Sequence, residues 1–167
     1  MADSRHVGRP AGPGRGRTST TREAEGMSAR YTAAAVSVGD GRDGEVRSDD
    51  GVIDEKLAVP AELGGRGGPA TNPEQLFAAG YSACFHSAVL QAARLSGIKV
   101  ADSQVATQVA IEVDEADTGY RLAVSLRAHL PGLNQPQADE LVEAAHHMCP
   151  YSKATRGNVP VRVSATV

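Results

Sequence analysis

The chain has 167 residues, a formal net charge of −3 at pH 7 and 41% hydrophobic residues, but no tryptophan. This length suits one domain with a core of its own. The weak negative charge argues against a nucleic-acid or other polyanionic partner. No segment reaches the roughly 18 consecutive apolar residues that a membrane-spanning helix needs. We therefore expect one domain whose core consists mainly of valine, leucine, isoleucine and alanine.

Residues 1–28 differ in composition from the rest of the chain. Up to Gly26 they include five arginines, five glycines and two prolines, with hardly any large apolar side chain. Such a segment cannot bury enough apolar surface to offset the entropy lost on ordering, so we predict a disordered extension. It has no apolar stretch typical of a secretory signal, which favours a cytoplasmic protein. Met27 begins a new pattern and is a candidate for the true start of translation, and residues 29–167 are expected to form the single domain.

The domain begins with short strands. The stretch YTAAAVSV, from Tyr31, is typical of a strand and leads into the glycine-rich turn GDGRDG, which carries Arg42. The stretch EVRSDDGVIDEKLAV follows, with a second turn at Asp49-Asp50-Gly51. This pattern predicts a meander of two or three antiparallel strands. The next stretch, PAELGGRGGPA, predicts an irregular loop.

A long helix is predicted after this loop. Asn72 is a favourable N-cap, Pro73 suits the first helical position, and the negative charge of Glu74 is favoured at a helix N-terminus. Gly97 is typical of a residue that ends a helix. The helix is apolar on most sides and has Cys84 at its middle, which predicts a central position in the fold.

A hairpin, a second helix and a last strand complete the pattern. Regular alternation from Val105 to Val113, followed by the turn ADTG and the stretch YRLAVSLRAHL, predicts the hairpin. Asn134-Gln135-Pro136 opens a second helix, which Pro150 stops just after Cys149. The closing stretch VPVRVSATV predicts a strand. This order of strands and helices indicates an α+β fold.

The chemistry of the chain centres on Cys84 and Cys149. Buried cysteines often serve only as small apolar side chains, so two inert thiols are one alternative. A permanent disulfide is not expected in a reducing cytosol. A metal site formed with His86 and His146 is a second alternative, although the spacings do not match those of structural zinc sites. A redox pair is the third, and spacing alone leaves all three open.

The segments around both cysteines resemble those of a known family. NPEQLFAAGYSACF, around Cys84, and CPYSKATRGN, from Cys149, are similar to the two signature segments of the organic hydroperoxide resistance (Ohr) branch of the Ohr/OsmC family. The turn GDGRDG and the stretch ELGGRGGPATNPEQ are similar to that family as well, and the resemblance extends from about Tyr31 to Val167. It implies an OsmC-like α+β fold, with antiparallel sheets around the long central helix and an intertwined homodimer.

The resemblance also implies an activity. The chain would be a thiol peroxidase that reduces alkyl and fatty-acid hydroperoxides to alcohols, with Cys84 as the peroxidatic and Cys149 as the resolving cysteine of a transient disulfide. Arg42 would stabilise the thiolate and the peroxide, and Glu74 would orient Arg42. The resemblance implies no metal and no bound cofactor, and a lipoylated protein or dihydrolipoamide would act as the external reductant.

Physical chemistry adds a constraint to these roles. A thiolate attacks the O–O bond, and a nearby guanidinium favours the ionised form. Ten residues separate Glu74 from Cys84, which is about 15 Å along a straight helix. We therefore expect the Arg42–Glu74 pair and Cys84 to meet across a contact between subunits. On the residues alone, Arg42 could equally be a solvated turn arginine and Glu74 a charge that stabilises the helix dipole.

Four apolar side chains near the cysteines are candidates for binding the substrate: Phe77, Tyr81, Phe85 and Met148. Such side chains usually belong to the core, but those that line a mouth beside the thiol would favour alkyl hydroperoxides over hydrogen peroxide. Two other functions stay open. One is a peroxidase of the OsmC branch with another substrate or reductant, and the other is a non-catalytic, stress-associated binding domain with the same fold.

Overall fold

Strands and helices alternate in groups along residues 29–167, the part of the chain that the computed structural model describes. The strands are β1 (Ala35–Val38), β2 (Glu45–Ser48), β3 (Asp54–Lys56), β4 (Gln104–Val113), β5 (Tyr120–His129) and β6 (Val161–Thr166). The α-helices are α1 (Pro73–Leu95), α2 (Gln135–Met148) and α3 (Pro150–Thr155), and short 3-10 turns occupy Gly41–Asp43 and Ala61–Leu63. The predicted α+β class is confirmed. The predicted disordered extension, residues 1–28, lies outside the described residues.

The first three strands form an antiparallel sheet in the order β1-β2-β3, as the meander pattern predicted. Gly39 and Gly51 stand in the two connecting turns with φ of 79° and 71°, a left-handed conformation that glycine adopts without steric cost. All four residues of β1 are exposed, including Val36 and Val38. Within one chain, this sheet therefore leaves apolar side chains uncovered.

The second sheet has the order β4-β5-β6. β4 and β5 form the predicted hairpin, with Gln104 opposite His129 and Val113 opposite Tyr120. β6 lies on the other side of β5 and pairs with it in parallel. The expectation of purely antiparallel sheets is corrected here, because α2 and α3 return the chain across the sheet before β6 begins, as a parallel pair requires.

Helix α1 lies along β4 and α2, and its termini follow the sequence signals. The side chain of Asn72 accepts a hydrogen bond of 2.9 Å from the backbone N–H of Gln75. Gly97, with φ of 68°, follows the last turn. The core forms between α1, α2 and the second sheet, and its largest fully buried side chains are Tyr81, Phe85, Val89, Leu126 and Leu130. Among the helices of residues 29–167, none is both long and apolar enough to cross a membrane.

Helices α2 and α3 are joined at Cys149. α2 begins with reciprocal hydrogen bonds: the side chain of Asn134 accepts from the N–H of Gln137, and the side chain of Gln137 accepts from the N–H of Asn134. α2 ends before Cys149, as predicted. Pro150 also opens α3, at the first helical position where its missing N–H costs nothing. α3 was not predicted, because a proline directly after a helix was interpreted only as a stop.

Replacing Asn134 with alanine removes the acceptor for the first turn of α2. We expect the free energy of unfolding to fall by about 1 kcal/mol, measured by urea denaturation at one fixed protein concentration. Glu140→Ala, at an exposed position on the same helix, is the matched control and should change this free energy by less than about 0.5 kcal/mol. Equal losses in the two variants would contradict the capping role.

Candidate active site

The structure brings the two cysteines together. Cys84 is partly buried at the middle of α1, and Cys149 is fully buried between α2 and α3. Their Sγ atoms are 3.4 Å apart, and both thiols are free. Because α1 contacts both α2 and α3, residues distant in sequence become neighbours. Two thiols in contact can form a disulfide without a rearrangement of the fold.

The surroundings of Cys84 do not favour its ionised form within one chain. Burial raises the pKa of the Cys84 thiol above its ordinary value, and the Cys149 thiol raises it further. The backbone N–H of Tyr151, in the first turn of α3, lowers this pKa, but not enough to reverse the shift. Arg42 is not among the groups that act on it. Near neutral pH, the single chain therefore holds Cys84 as a protonated thiol.

Arg42 and Glu74 form an ion pair. Nη2 of Arg42 lies 2.5 Å from Oε2 of Glu74, and this hydrogen bond raises the pKa of the guanidinium. The Glu74 side chain is 15% exposed and the Arg42 side chain 41%. Since a guanidinium has five N–H donors, Arg42 keeps donors for a further contact.

The turn that carries Arg42 is tied to the segment after β3. Oδ1 of Asp43 accepts a hydrogen bond of 3.1 Å from the backbone N–H of Val59. The N–H of Leu57 donates to the carbonyl of Gly44 at 2.8 Å. These two hydrogen bonds hold the turn that carries Arg42 independently of its ion pair with Glu74.

A small cavity of about 200 Å³ opens beside Arg42. Its other lining residues are Val59, Leu63, Ile111 and Tyr120. Three of these are aliphatic, and Tyr120 presents an exposed aromatic ring. Cys84 does not line this cavity. Within one chain, the side of Arg42 that faces this cavity thus has apolar surroundings, and the sulfur of Cys84 lies outside it.

The four apolar candidates for substrate binding fall into two groups. Tyr81 and Phe85 have no exposed surface and belong to the core, so the expectation that they line an open mouth is corrected: packing inside the fold occupies their rings. Phe77 and Met148 are partly buried against the edge of the core. Only this second pair offers surface to a substrate.

Tyr151 lies beside the predicted site residues but was not itself predicted from the sequence. Its ring stacks on that of Phe77, with centroids 6.1 Å apart, and it is 39% exposed. It lies against Gly80, where a Cβ atom would come within 3.2 Å of the Tyr151 hydroxyl. The signal was present in the segment CPYSKATRGN, in which Tyr151 follows Cys149 by two positions.

The metal site considered above is not assembled in the described part of the chain. Nε2 of His86 is 2.9 Å from the hydroxyl of Ser103, and Nδ1 of His146 is 3.0 Å from the hydroxyl of Ser152. Residues 29–167 contain no group of three or more histidines, cysteines or acidic residues arranged to hold a metal ion.

Curated relatives match most of the chain. A family model for OsmC-like proteins matches residues 65–164. The organic hydroperoxide resistance protein OhrB of Bacillus subtilis (strain 168) is 47% identical over 136 residues, which cover 81% of this chain and 97% of the relative. The organic hydroperoxide resistance protein of Xanthomonas axonopodis pv. citri (strain 306) is 43% identical over 134 residues, which cover 80% of this chain and 93% of the relative.

Solved structures share the fold. The crystal structure of an organic hydroperoxide resistance protein from Legionella pneumophila has a TM-score of 0.79 at 48% identity and covers 84% of this chain and 100% of its own. That of OhrB of Bacillus subtilis has a TM-score of 0.76 at 45% identity and covers 83% of this chain and 100% of its own. The motifs around Cys84 and Cys149, the fold and these matches together show that the chain belongs to the organic hydroperoxide resistance branch of the Ohr/OsmC family.

Proposed function

We propose that the chain is a thiol peroxidase that reduces organic hydroperoxides to alcohols. The observation that carries this proposal is the 3.4 Å approach of the Cys84 and Cys149 sulfurs, at the place where both family motifs meet. The names of the relatives, organic hydroperoxide resistance proteins, support the substrate class. The apolar surface of Phe77, Met148 and Tyr151 near these sulfurs supports a substrate with a hydrocarbon group.

The reaction begins at Cys84. Its thiolate attacks one peroxide oxygen, so that an S–O bond forms while the O–O bond breaks. The sulfur loses two electrons, and the leaving alkoxide takes up a proton to become the alcohol. Cys84 is then a sulfenic acid. Cys149 attacks this sulfur, the disulfide forms, and the hydroxyl group leaves as water.

An external dithiol completes the cycle. One of its sulfurs opens the disulfide, and its second sulfur resolves the mixed disulfide that results. Dihydrolipoamide, free or on a lipoylated protein, has this chemistry. The electrons pass from the dithiol through the two cysteines to the peroxide, so the cycle balances without a bound cofactor.

The proposal includes a homodimer in which Arg42 of one chain contacts Cys84 of the other. Burial raises the pKa of Cys84 within one chain, and Arg42 does not lower it there. Arg42 is held by Glu74 yet is partly exposed and retains donors. The exposed valines of β1, Val36 and Val38 at 56% and 46%, are surface that a second copy would cover. A guanidinium from that copy would favour the thiolate and hydrogen-bond the peroxide.

Cys84→Ser should abolish turnover, because a hydroxyl group at this position is not ionised near neutral pH and does not attack the peroxide bond. The measurement is consumption of cumene hydroperoxide with dihydrolipoamide as reductant. Parallel assays with hydrogen peroxide and with a monothiol should be slower for the unmodified chain. Equal rates with all substrates and reductants would favour a peroxidase of the OsmC branch. If the unmodified chain consumed no hydroperoxide at all, the result would favour a non-catalytic binding domain.

Cys149→Ser should retain the first oxidation and lose the disulfide. We expect one equivalent of hydroperoxide to be consumed at close to the normal rate, after which Cys84 remains as sulfenic acid or proceeds to sulfinic acid. Mass spectrometry of the alkylated protein distinguishes these products. Full steady-state activity with dihydrolipoamide in this variant would refute a resolving role for Cys149.

Mixing Arg42→Ala chains with Cys84→Ser chains tests the composite site. Each variant alone should be nearly inactive. After random exchange half of the dimers are mixed and each has one intact site, so roughly a quarter of the normal activity should return. Native mass spectrometry verifies that exchange has occurred. No recovery in verified mixed dimers would place the whole site within one chain.

A further inference from the structure

A cluster of polar side chains lies where α1, α2 and α3 meet. The hydroxyl of Ser152 is 2.9 Å from that of Tyr81 and 3.0 Å from Nδ1 of His146. The Tyr81 hydroxyl is also 3.3 Å from that of Thr155. Ser152 and Tyr81 have no exposed surface, and Thr155 is 5% exposed. We call these four residues the Ser152 cluster, and the reactions described above do not use it.

The members of this cluster are placed systematically relative to the cysteines. Tyr81 is three positions before Cys84 on α1, and His146 is three positions before Cys149 on α2. Ser152 is three positions after Cys149 on α3. The Ser152 hydroxyl therefore joins α1, which carries Cys84, to α2 and α3, which flank Cys149.

The cluster also spans the corner at which Cys149 stands. The backbone at Cys149 is extended, with φ of −60° and ψ of 125°, so the chain changes direction there between two helices. The contact of His146 with Ser152 crosses this corner, and Nη2 of Arg156 donates to the carbonyl of His146 at 3.0 Å. Two hydrogen bonds to the last turn of α2, one from Ser152 in α3 and one from Arg156 just after it, thus fix the angle between these helices, and with it the direction of the Cys149 side chain.

The hydrogen bonds are consistent with one ordered arrangement. Burial lowers the pKa of His146, and the charge of Arg156 lowers it further, so a neutral ring can accept at Nδ1 from Ser152. Ser152 in turn accepts from Tyr81, and Thr155 donates to the carbonyl of Tyr151 at 3.0 Å. Every hydroxyl hydrogen then has an acceptor. A network in which every buried hydroxyl hydrogen has an acceptor favours a single packing of the elements it joins.

We propose that Ser152 is a positioning residue for the resolving step. By holding α3 to α1 and α2, it keeps Sγ of Cys149 against Cys84, so that closure of the disulfide outruns a second oxidation. This inference rests on the proposed function. Cys149 thiol and Cys84 sulfenic acid give the disulfide and water, whereas a second hydroperoxide oxidises the sulfenic acid to sulfinic acid and is itself reduced to an alcohol.

The outcome of this competition depends on how well Cys149 is placed. An intramolecular attack gains its rate from a preset geometry, and a displacement of about 1 Å can cost on the order of a hundredfold. Ser152→Ala removes the hydrogen-bond partner of Nδ1 of His146. It also leaves the Tyr81 hydroxyl with the Thr155 hydroxyl as its one remaining partner in the cluster. The corner at Cys149 then loses one of its two cross-links, while Cys84 itself is unchanged.

The test compares two chemical steps in Ser152→Ala. After mixing with a several-fold excess of cumene hydroperoxide, which supplies the second equivalent that sulfinic acid requires, stopped-flow measurements follow the first oxidation. Quenching with an alkylating reagent followed by mass spectrometry then counts disulfide and sulfinic acid. We expect the first step to stay within about twofold and disulfide closure to slow about tenfold, with a matching rise in sulfinic acid. Tyr81→Phe keeps the ring but removes the hydroxyl. It should likewise leave the first step nearly unchanged and slow the closure of the disulfide.

Ser87→Ala is the matched control, since its hydroxyl on α1 is exposed and bonds only to the carbonyl of Ala83 within the helix. It should leave both steps unchanged. A purely structural role for Ser152 would lower the melting temperature and the amount of folded protein without altering the ratio of disulfide to sulfinic acid. An unchanged ratio in both Ser152→Ala and Tyr81→Phe would overturn the proposal.

A second oxidant separates this inference from the proposed function. Diamide accepts a thiolate at its N=N bond, and the second thiol displaces the reduced hydrazine as the disulfide forms. Closure by diamide needs no peroxidase activity and should also be about tenfold slower in Ser152→Ala than in Ser87→Ala. Equal diamide rates would refute the role of Ser152. A chain that ignores hydroperoxides but shows this difference would refute the peroxidase alone.

Discussion

The contact between the sulfurs of Cys84 and Cys149 is the constraint on which the site depends. At 3.4 Å, it requires the middle of α1 to pack against the corner between α2 and α3. The same packing buries the reactive group, and burial raises the pKa of Cys84. Proximity would favour closure of the proposed disulfide, whereas burial opposes ionisation of the thiol. A peroxidase built on this contact must obtain positive charge from outside the core.

The fold keeps that charge on a separate element. Arg42 stands on the turn between β1 and β2, and Glu74 at the first turn of α1 fixes it through an ion pair. Two backbone N–H groups of the segment after β3 hold this turn in place, that of Val59 by donating to the Asp43 carboxylate and that of Leu57 by donating to the carbonyl of Gly44. Because the ion pair forms within one chain, the guanidinium is already oriented before a second copy or a substrate arrives, and little side-chain entropy remains to be lost on contact. The exposed valines of β1 belong to the same sheet, so a surface that covers them would also approach Arg42.

Local signals predicted most of the elements. Asn72 and Gly97 mark the ends of α1 because caps are chosen by short-range hydrogen bonding and backbone conformation. Alternation predicted the hairpin of β4 and β5, but it carries no information on strand direction, so the parallel pairing of β6 was missed. Pro150 fits both the end of one helix and the start of another, which concealed α3.

The proximity of Cys84 to Cys149 followed from the family resemblance, since spacing alone left it open. Core burial was the ordinary expectation for the four apolar candidates, but which of them are buried could not be told, because a helix that is apolar on most sides does not reveal which face meets the sheet.

The Ser152 cluster was not predicted, although Ser152 and Thr155 lie in the segment CPYSKATRGN, and its position raises a physical question. Replacing a buried hydrogen-bonded group together with its partners by apolar groups of similar shape is often nearly neutral for stability. A core of alanine, valine and phenylalanine at these positions could therefore hold the helices together about equally well. What an apolar contact does not supply is direction, since it tolerates small rotations and shifts that a hydrogen bond of 2.9 Å does not. The burial of three hydroxyl groups beside a half-buried imidazole is consistent with the proposed aiming of one sulfur at another. Three of the four residues lie one helical turn from a cysteine, where such aiming would have the most effect.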